Sequence, residues 1–255
     1  MDQLSNFKGA ARDLSARETR LLDQADVVFT GGRSLYQARK ERHPNTHLFA
    51  SGVEPDHFAL ALDPATKVAA EIACLPRPVL GYYGAIDERI DLELLHILAS
   101  DHPDWSIVMV GPVTKIEPAD LPRLPNILYP GKQPYSRLPN FLKGFDVCLM
   151  PFAMNEATRF ISPTKTLEYM AAHKPIVSTP VPDVVANWSD VVAIAAAPDE
   201  FAAAIERVLN ETRRQRRQRI ARSEDHLACH TWDHIATQMQ AIIDSALANR
   251  HERMP

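Results

Sequence analysis

The 255-residue sequence lacks the usual marks of secreted, membrane-spanning and metal-binding proteins. Its three cysteines, Cys74, Cys148 and Cys229, lie far apart and are odd in number, so they show neither a disulfide framework nor a metal-ligand spacing. The opening MDQLSNFKGA has no apolar core of the kind a secretory signal carries, and no run reaches the ~18 apolar residues of a membrane span. We therefore expect a soluble, cytoplasmic protein without disulfide bonds.

Strong charge of either sign is also missing. The formal net charge is −4 and the pI is near 6.2, which gives no indication of nucleic acid binding. One basic run, RRQRRQR at 213–219, could contact anionic lipid headgroups or nucleic acid, although the acidic residues that flank it favour a solvated helix. Nucleic acid is therefore not an expected partner, and membrane contact rests on this run alone.

Short apolar runs alternate with helical segments along almost the whole sequence. Because the runs are too apolar for either face to meet water, they predict a parallel sheet covered by helices on both sides, an α/β Rossmann-like fold. The predicted strands are Asp26–Thr30, Thr46–Ala50, Val79–Tyr83, Ser106–Val110, Asn126–Tyr129, Asp146–Met150, Ile176–Thr179 and Val191–Ile194. The predicted helices are about 8–24, 33–42, 64–73, 88–100, 135–143, 163–173, 199–226 and 232–249. Ligands of such sheets bind beyond the carboxyl ends of the strands.

Residues 162–179, SPTKTLEYMAAHKPIVST, combine a helix start with a basic and an acidic residue. Ser162 is a favoured N-cap and Pro163 suits the first helical position, so the first-turn N–H groups would face the preceding loop and attract an anion. Lys165 adds positive charge there. Glu168 lies one turn further along, where its carboxylate can accept hydrogen bonds from sugar hydroxyls. This layout suits a nucleotide-diphosphate sugar, but it is also compatible with a solvated Lys–Glu pair on an ordinary capped helix.

The same segment resembles the donor-site segment of GT-B glycosyltransferases of the Glu-x7-Glu group, which are similar to glycosyltransferase family 4. In that group the second Glu opens a stretch of the form E-(A/Y)-M-A-x-G-K-P-V-V and contacts the nucleotide ribose. The stretch EYMAAHKPIV at 168–177 matches it, with Glu168 in that role. The first Glu commonly contacts the donor sugar, but its position is taken by Phe160, which leaves the sugar and the stereochemical course open. His173 replaces the usual glycine after the helix, where the left-handed conformation is favoured.

The resemblance covers nearly the whole chain. Residues 77–112 resemble the first β-α-β unit of the GT-B C-terminal domain. Residues 146–165 resemble the strand and loop before the donor helix, and residues 230–239 resemble the start of the closing helix. Residues 25–58 resemble the last β-α-β unit of the N-terminal domain with the linker that follows it.

This alignment implies two parts. Residues 1–60 would be the C-terminal remnant of the acceptor domain with its linker, and residues 61–255 would be the donor-binding domain with its closing helix. A further stretch on the order of 100 residues or more would then lie upstream. A longer polypeptide, a partner chain or self-association is expected to supply it.

The resemblance also implies further contacts to the donor. Lys165 is expected at the diphosphate, and Arg89 follows a strand where the family often has a cation, although an exposed arginine paired with Asp91 or Glu93 is as consistent. Gly84 would permit close backbone approach. Phe160 could pack under the sugar where the family has Glu, although a buried loop aromatic is as consistent. The complete expected set is Gly84, Arg89, Arg159, Phe160, Ser162, Pro163, Thr164, Lys165 and Glu168.

The activity that the resemblance implies is transfer of a glycosyl group from a nucleotide-diphosphate sugar to an acceptor hydroxyl, without a metal ion. The sequence shows no DxD-type motif for a metal-bound diphosphate, and no cofactor is expected. No catalytic acid or base is assigned, because such a group would normally come from the acceptor domain. The main alternative is a non-catalytic nucleotide-sugar-binding half that needs a partner chain. A more distant alternative is another nucleotide-sugar enzyme, such as an epimerase.

Three histidines, His226, His230 and His234, are spaced by four, as metal ligands on one helical face could be. However, Thr231-Trp232-Asp233 indicates a new helix start, which would break that face. No metal site is therefore predicted.

Overall fold

The computed structural model describes residues 4–6 and 8–253, and this part of the chain contains two separate parallel sheets. The small sheet pairs β1 (Val28–Thr30) with β2 (Thr46–Leu48). The strands of the large sheet are β3 (Val79–Tyr83), β4 (Ser106–Val110), β5 (Ile127–Gly131), β6 (Val147–Met150), β7 (Ile176–Ser178) and β8 (Val192–Ile194). The α-helices are α1 (Leu14–Gln24), α2 (Arg33–Lys40), α3 (Pro55–Ala59), α4 (Leu92–Asp101), α5 (Leu138–Gly144), α6 (Lys165–Ala171), α7 (Pro182–Trp188), α8 (Pro198–Leu209), α9 (Arg213–Ala228) and α10 (Trp232–Arg253).

The large sheet has the strand order β5-β4-β3-β6-β7-β8, and every neighbouring pair is parallel. All residues of β3, β4 and β6 are buried, because helices cover both faces of the sheet. Strands β3 to β5 extend the sheet to one side and β6 to β8 extend it to the other, so the strand order reverses between β3 and β6. Open α/β sheets leave a ligand crevice at such a position. The predicted α/β Rossmann-like fold is thus confirmed.

The predicted helix at 64–73 is wrong. This stretch consists of turns, and the helical residues before β3 lie earlier, in α3 and in a 3₁₀ turn at Leu60–Leu62. The backbone of this stretch forms hydrogen bonds with Asn140 of α5. Ala69 N–H donates to the Asn140 carbonyl (3.1 Å), and the Asn140 side-chain amide donates to the Lys67 carbonyl (2.7 Å). These tertiary partners replace the i to i+4 bonds that a helix would need.

Several other boundaries differ from the predictions. The helix predicted over 199–226 is two helices, because Thr212 and Gln215 form a capping box that starts α9. The helix predicted from residue 88 begins at Leu92, after Asp91 caps it by accepting from Leu94 N–H (2.9 Å). The first helix begins at Leu14 instead of residue 8, and α7 was not predicted.

Two local predictions are confirmed. His173 has a φ of 54°, so it ends the α6 segment in the left-handed conformation where the family has glycine. A new helix, α10, begins at Trp232, and its start lies against the linker: Val53 N–H donates to the His230 carbonyl (2.9 Å). The division into residues 1–60 and 61–255 stays a prediction.

None of the helices within residues 4–6 and 8–253 combines the length and the apolarity that a membrane crossing needs. The basic run at 213–219 forms the first two turns of α9, where Arg213, Arg214, Arg216 and Arg217 are exposed. Arg219 is instead buried and pairs with Glu211 at 2.9 Å.

Candidate functional site

Two loops meet at the carboxyl edge of the sheet, one after β3 and one after β6. Ile90 and Phe152 form a bridge between them, and Ala153 N–H donates to the Arg89 carbonyl at 2.8 Å. Beside this junction lies a cleft of about 330 Å³ at the point where the strand order reverses. Its lining residues are Gly31, Ser51, Tyr82, Arg89, Phe152, Ile161, Ser162, Pro163, Thr164 and Lys165.

Lys165 reaches this cleft from the first position of α6. Its ammonium lies over the Tyr82 ring, 5.4 Å from the centroid, and its side chain crosses Gly84. A Cβ on Gly84 would lie 2.3 Å from Lys165 Cε, and Gly84 has a φ of 142°, which side chains rarely adopt. Gly84 therefore allows a close approach, and the group that makes this approach is the Lys165 side chain.

Arg89 is held by a buried carboxylate. Its Nε lies 2.9 Å from Asp87 Oδ1 and its Nη2 lies 2.7 Å from Asp87 Oδ2, while Asp87 is only 2% exposed. The bidentate pair fixes the plane of the guanidinium at the cleft wall. Of the two acidic partners considered from the sequence, Asp91 caps α4 through its carboxylate. Sequence reasoning missed Asp87, which lies in the loop four residues after the end of β3.

The start of α6 lies two residues later than predicted, so Ser162 is not its N-cap. Thr164 precedes the helix and makes no side-chain capping bond, and the Thr166 hydroxyl and N–H both bond to the Pro163 carbonyl (3.1 and 3.3 Å). Ser162, Pro163 and Thr164 still line the cleft. With only seven residues, α6 gives little support to an anion site at its N-terminus, and the positive charge comes from Lys165 and Arg89.

Glu168 lies one turn beyond Lys165 on α6 and is half-buried. Burial raises the pKa of its carboxyl above the ordinary value, and this effect outweighs the opposite influences of Tyr83, Lys165, Thr164 and His57. The half-buried carboxylate is thus held where its ionised form is disfavoured, a condition typical of functional sites.

Comparison with known proteins identifies the family. The sequence profile of the family described as "Glycosyl transferases group 1" matches residues 77–211, which include both loops of the cleft and α6. The chain belongs to the group 1 glycosyl transferases.

One relative of this group 1 chain is TuaH of Bacillus subtilis (strain 168), named as a teichuronic acid biosynthesis glycosyltransferase. The two are 27% identical over 239 residues, which is 87% of this chain but 58% of TuaH. The chain therefore spans less than two thirds of the length of this relative.

Solved structures confirm the GT-B fold. The sucrose-phosphate synthase of Thermosynechococcus elongatus matches 94% of this chain and 64% of its own, with a TM-score of 0.68 and 18% identity. The Anabaena protein HepE, solved with UDP-glucose, matches 91% of this chain and 67% of its own, with a TM-score of 0.68 and 12% identity. At these identities the likeness shows the fold alone.

Four of the expected donor contacts in this group 1 chain are not among the residues that line the cleft: Gly84, Arg159, Phe160 and Glu168. Arg159 is exposed, lies 3.7 Å from Glu156 and stacks its guanidinium over the Phe160 ring at 5.2 Å. Arg159 and Phe160 belong to the loop before α6, and their roles stay predictions.

A larger groove of about 490 Å³ lies elsewhere on the domain, between α4 and α8. Its charged lining is acidic, with Asp101, Asp199 and Glu206, so it is ill suited to a diphosphate.

Within the described residues, no group of three or more His, Cys, Asp or Glu side chains is arranged to hold a metal ion. His226 instead lies 3.0 Å from Asp190, and His230 bonds to the His226 carbonyl.

Proposed function

We propose that this chain is the donor-binding part of a glycosyltransferase, and that its cleft binds a nucleotide-diphosphate sugar whose glycosyl group passes to an acceptor hydroxyl. One observation carries the proposal: Lys165 and Arg89 line the same cleft at the strand switch point, and Glu168 follows one turn along α6. Two cations suit a diphosphate, and the carboxylate one turn away suits the ribose hydroxyls.

The chemistry follows from the charge that the reaction develops. Breaking the bond between the anomeric carbon and the diphosphate oxygen leaves negative charge on the departing nucleotide. Lys165 and Arg89 would stabilise that charge. The Lys165 ammonium is held over the Tyr82 ring, and the Arg89 guanidinium is oriented by Asp87. Because two side chains supply this charge, we propose a reaction that needs no divalent cation.

The relatives favour a UDP-sugar as the first donor to test. HepE was solved with UDP-glucose, and its fold matches most of this chain. TuaH carries the name of a glycosyltransferase of teichuronic acid biosynthesis. Neither HepE nor TuaH identifies the sugar or the acceptor that this chain would use.

A second candidate function is a nucleotide-sugar-binding half that is inactive by itself. Phe160 occupies the position of the first Glu of the family motif, so a usual contact to the donor sugar is missing. The chain also matches 58% of the length of TuaH. A partner chain or a second copy would then supply the acceptor side.

Calorimetric titration of the chain with UDP, GDP and UDP-glucose tests the proposal. We expect saturable binding of one nucleotide, at least tenfold weaker binding by Glu168→Ala, and unchanged binding by the matched exposed variant Glu206→Ala. EDTA should leave the affinity unchanged. A folded chain that binds none of these ligands at millimolar concentration would refute the donor site. If UDP-glucose binds but no UDP is released with or without candidate acceptors, the second function is favoured.

A further inference from the structure

Tyr83 is the last residue of β3, and its ring is held on both sides. The ring stacks on Phe58 of α3 at 6.4 Å between centroids and meets Tyr169 of α6 edge-on at 5.0 Å. Its backbone N–H donates to the Tyr169 hydroxyl at 3.2 Å. Tyr83 is only 3% exposed, so the direction of its hydroxyl is fixed by packing.

That hydroxyl has no hydrogen-bond partner of ordinary geometry among the residues that the structure describes. Buried hydroxyls nearly always have a partner, so one without any calls for an explanation. The charge acting most strongly on it is that of the Glu168 carboxylate, next to Tyr169 on α6. The other titratable or charged groups that interact with this carboxylate are Lys165, His57, Tyr135 and Tyr169.

We infer that Tyr83 is a positioning residue, whose buried hydroxyl donates to the Glu168 carboxylate and fixes it for the ribose hydroxyls of the donor. A Glu side chain has several rotatable bonds, so its carboxylate keeps one orientation only where its partners hold it. A donor on the rigid end of β3 holds one carboxylate oxygen and leaves the other for the ribose. The inference rests on the proposed donor site.

The variant Tyr83→Phe tests this directly, because it removes the hydroxyl and keeps the clamped ring. Tyr129→Phe is the matched control, since Tyr129 on β5 donates to the Pro122 carbonyl (3.1 Å) instead of a carboxylate. Titration with UDP and with 2′,3′-dideoxyuridine diphosphate measures the ribose contribution. We expect Tyr83→Phe to reduce the preference for UDP about tenfold, the effect of one hydrogen bond to a charged group. Its affinity for the dideoxy compound should not change.

A second readout needs no nucleotide. Carbon-13 NMR of the glutamate carboxyls, with Glu168 assigned through Glu168→Gln, follows its titration in the wild type and in both tyrosine variants. Losing a donor to the ionised form should raise the pKa of Glu168 in Tyr83→Phe and leave it unchanged in Tyr129→Phe. An unchanged Glu168 titration, or an unchanged preference for UDP, would overturn the inference. If the wild type binds no nucleotide, the donor site fails, and the carboxyl titration still decides whether Tyr83 holds Glu168.

Discussion

The Asp183 carboxylate of α7 caps α2 through Ser34. Its Oδ1 accepts the Ser34 N–H at 2.9 Å and also accepts the Ser34 hydroxyl. Gly32 lies directly against the same carboxylate, since a Cβ there would be 2.3 Å from Asp183 Oδ2. Because Gly31 lines the cleft, this contact fastens the β1–α2 unit to the part of the chain that forms the large sheet, at the edge of the candidate site.

Asp183→Ala should destabilise the protein. Asp183 is 1% exposed, and its removal leaves the Ser34 N–H at the start of α2 without its acceptor. We expect a loss of about 1–3 kcal/mol in the free energy of unfolding, measured by urea denaturation. The exposed residue Asp225 of α9 supplies the control, and Asp225→Ala should change the free energy by less than about 0.5 kcal/mol. If the two variants changed the free energy of unfolding equally, the cap would contribute nothing to stability.

The two cleft cations should act on the phosphates and not on the nucleoside. Lys165→Gln and Arg89→Gln are each expected to weaken UDP binding about ten- to a hundredfold, as a lost charged hydrogen bond would. Their affinity for uridine should stay the same, because uridine has no phosphate. Parallel titrations with UDP and uridine measure both effects.

Arg159→Gln is the matched comparison for Arg89→Gln. Arg159 is exposed and engages Glu156 and Phe160 outside the cleft lining, so its loss should leave UDP binding unchanged. A large loss of UDP affinity in Arg159→Gln would place the diphosphate on the loop before α6 instead.

Gly84→Ala should displace Lys165. The new methyl group would overlap Lys165 Cε, and the φ of 142° would be strained for alanine. We expect UDP binding to weaken about as much as in Lys165→Gln, with a stability loss of about 1–3 kcal/mol from the strain. Gly131→Ala separates the two effects, because Gly131 also has a positive φ (74°) but no atom within 4 Å of the added Cβ. If Gly131→Ala weakens UDP binding equally, strain at the sheet edge and not Lys165 explains the result.

The sequence predicted the large sheet well because strands buried on both faces have a clear composition. All six strands of β3 to β8 lie within two residues of the predicted ones. It also indicated Lys165 and Glu168, since residues three apart on a helix share a face. It could not indicate partners that tertiary folding brings together. Asp183 meets Ser34 across 149 residues, and the turns around Ala69 exist because Asn140 supplies their hydrogen bonds.

The same distinction applies within the site. The Asp87–Arg89 pair is local in sequence, yet its geometry depends on the loop after β3 and on its bridge to Phe152. Tyr83 belongs to a strand that the pattern predicted, but only tertiary packing brings Tyr169 of α6 against its ring. A sequence pattern therefore located the elements of the site, while the orientation of its side chains required the structure.

Glu168→Gln should make the protein more stable at neutral pH while weakening UDP binding. Burial raises the pKa of Glu168, so the folded protein binds this proton more tightly than the unfolded chain does. The stabilisation from protonation is complete below the ordinary carboxyl pKa and is lost as the pH rises through the raised value. At pH 7 the wild type therefore holds a disfavoured buried charge, which a neutral amide of similar shape removes.

Thermal unfolding at pH 7 and at pH 4 measures this effect. The Tm of Glu168→Gln should exceed that of the wild type at pH 7, and the difference should shrink at pH 4, where the wild-type carboxyl is protonated. Glu206→Gln, on the outer face of α8, should show no such dependence. A lower Tm for Glu168→Gln at pH 7 would instead mean that hydrogen bonds from Tyr83 and Thr164 stabilise the ionised carboxylate by more than its burial disfavours it.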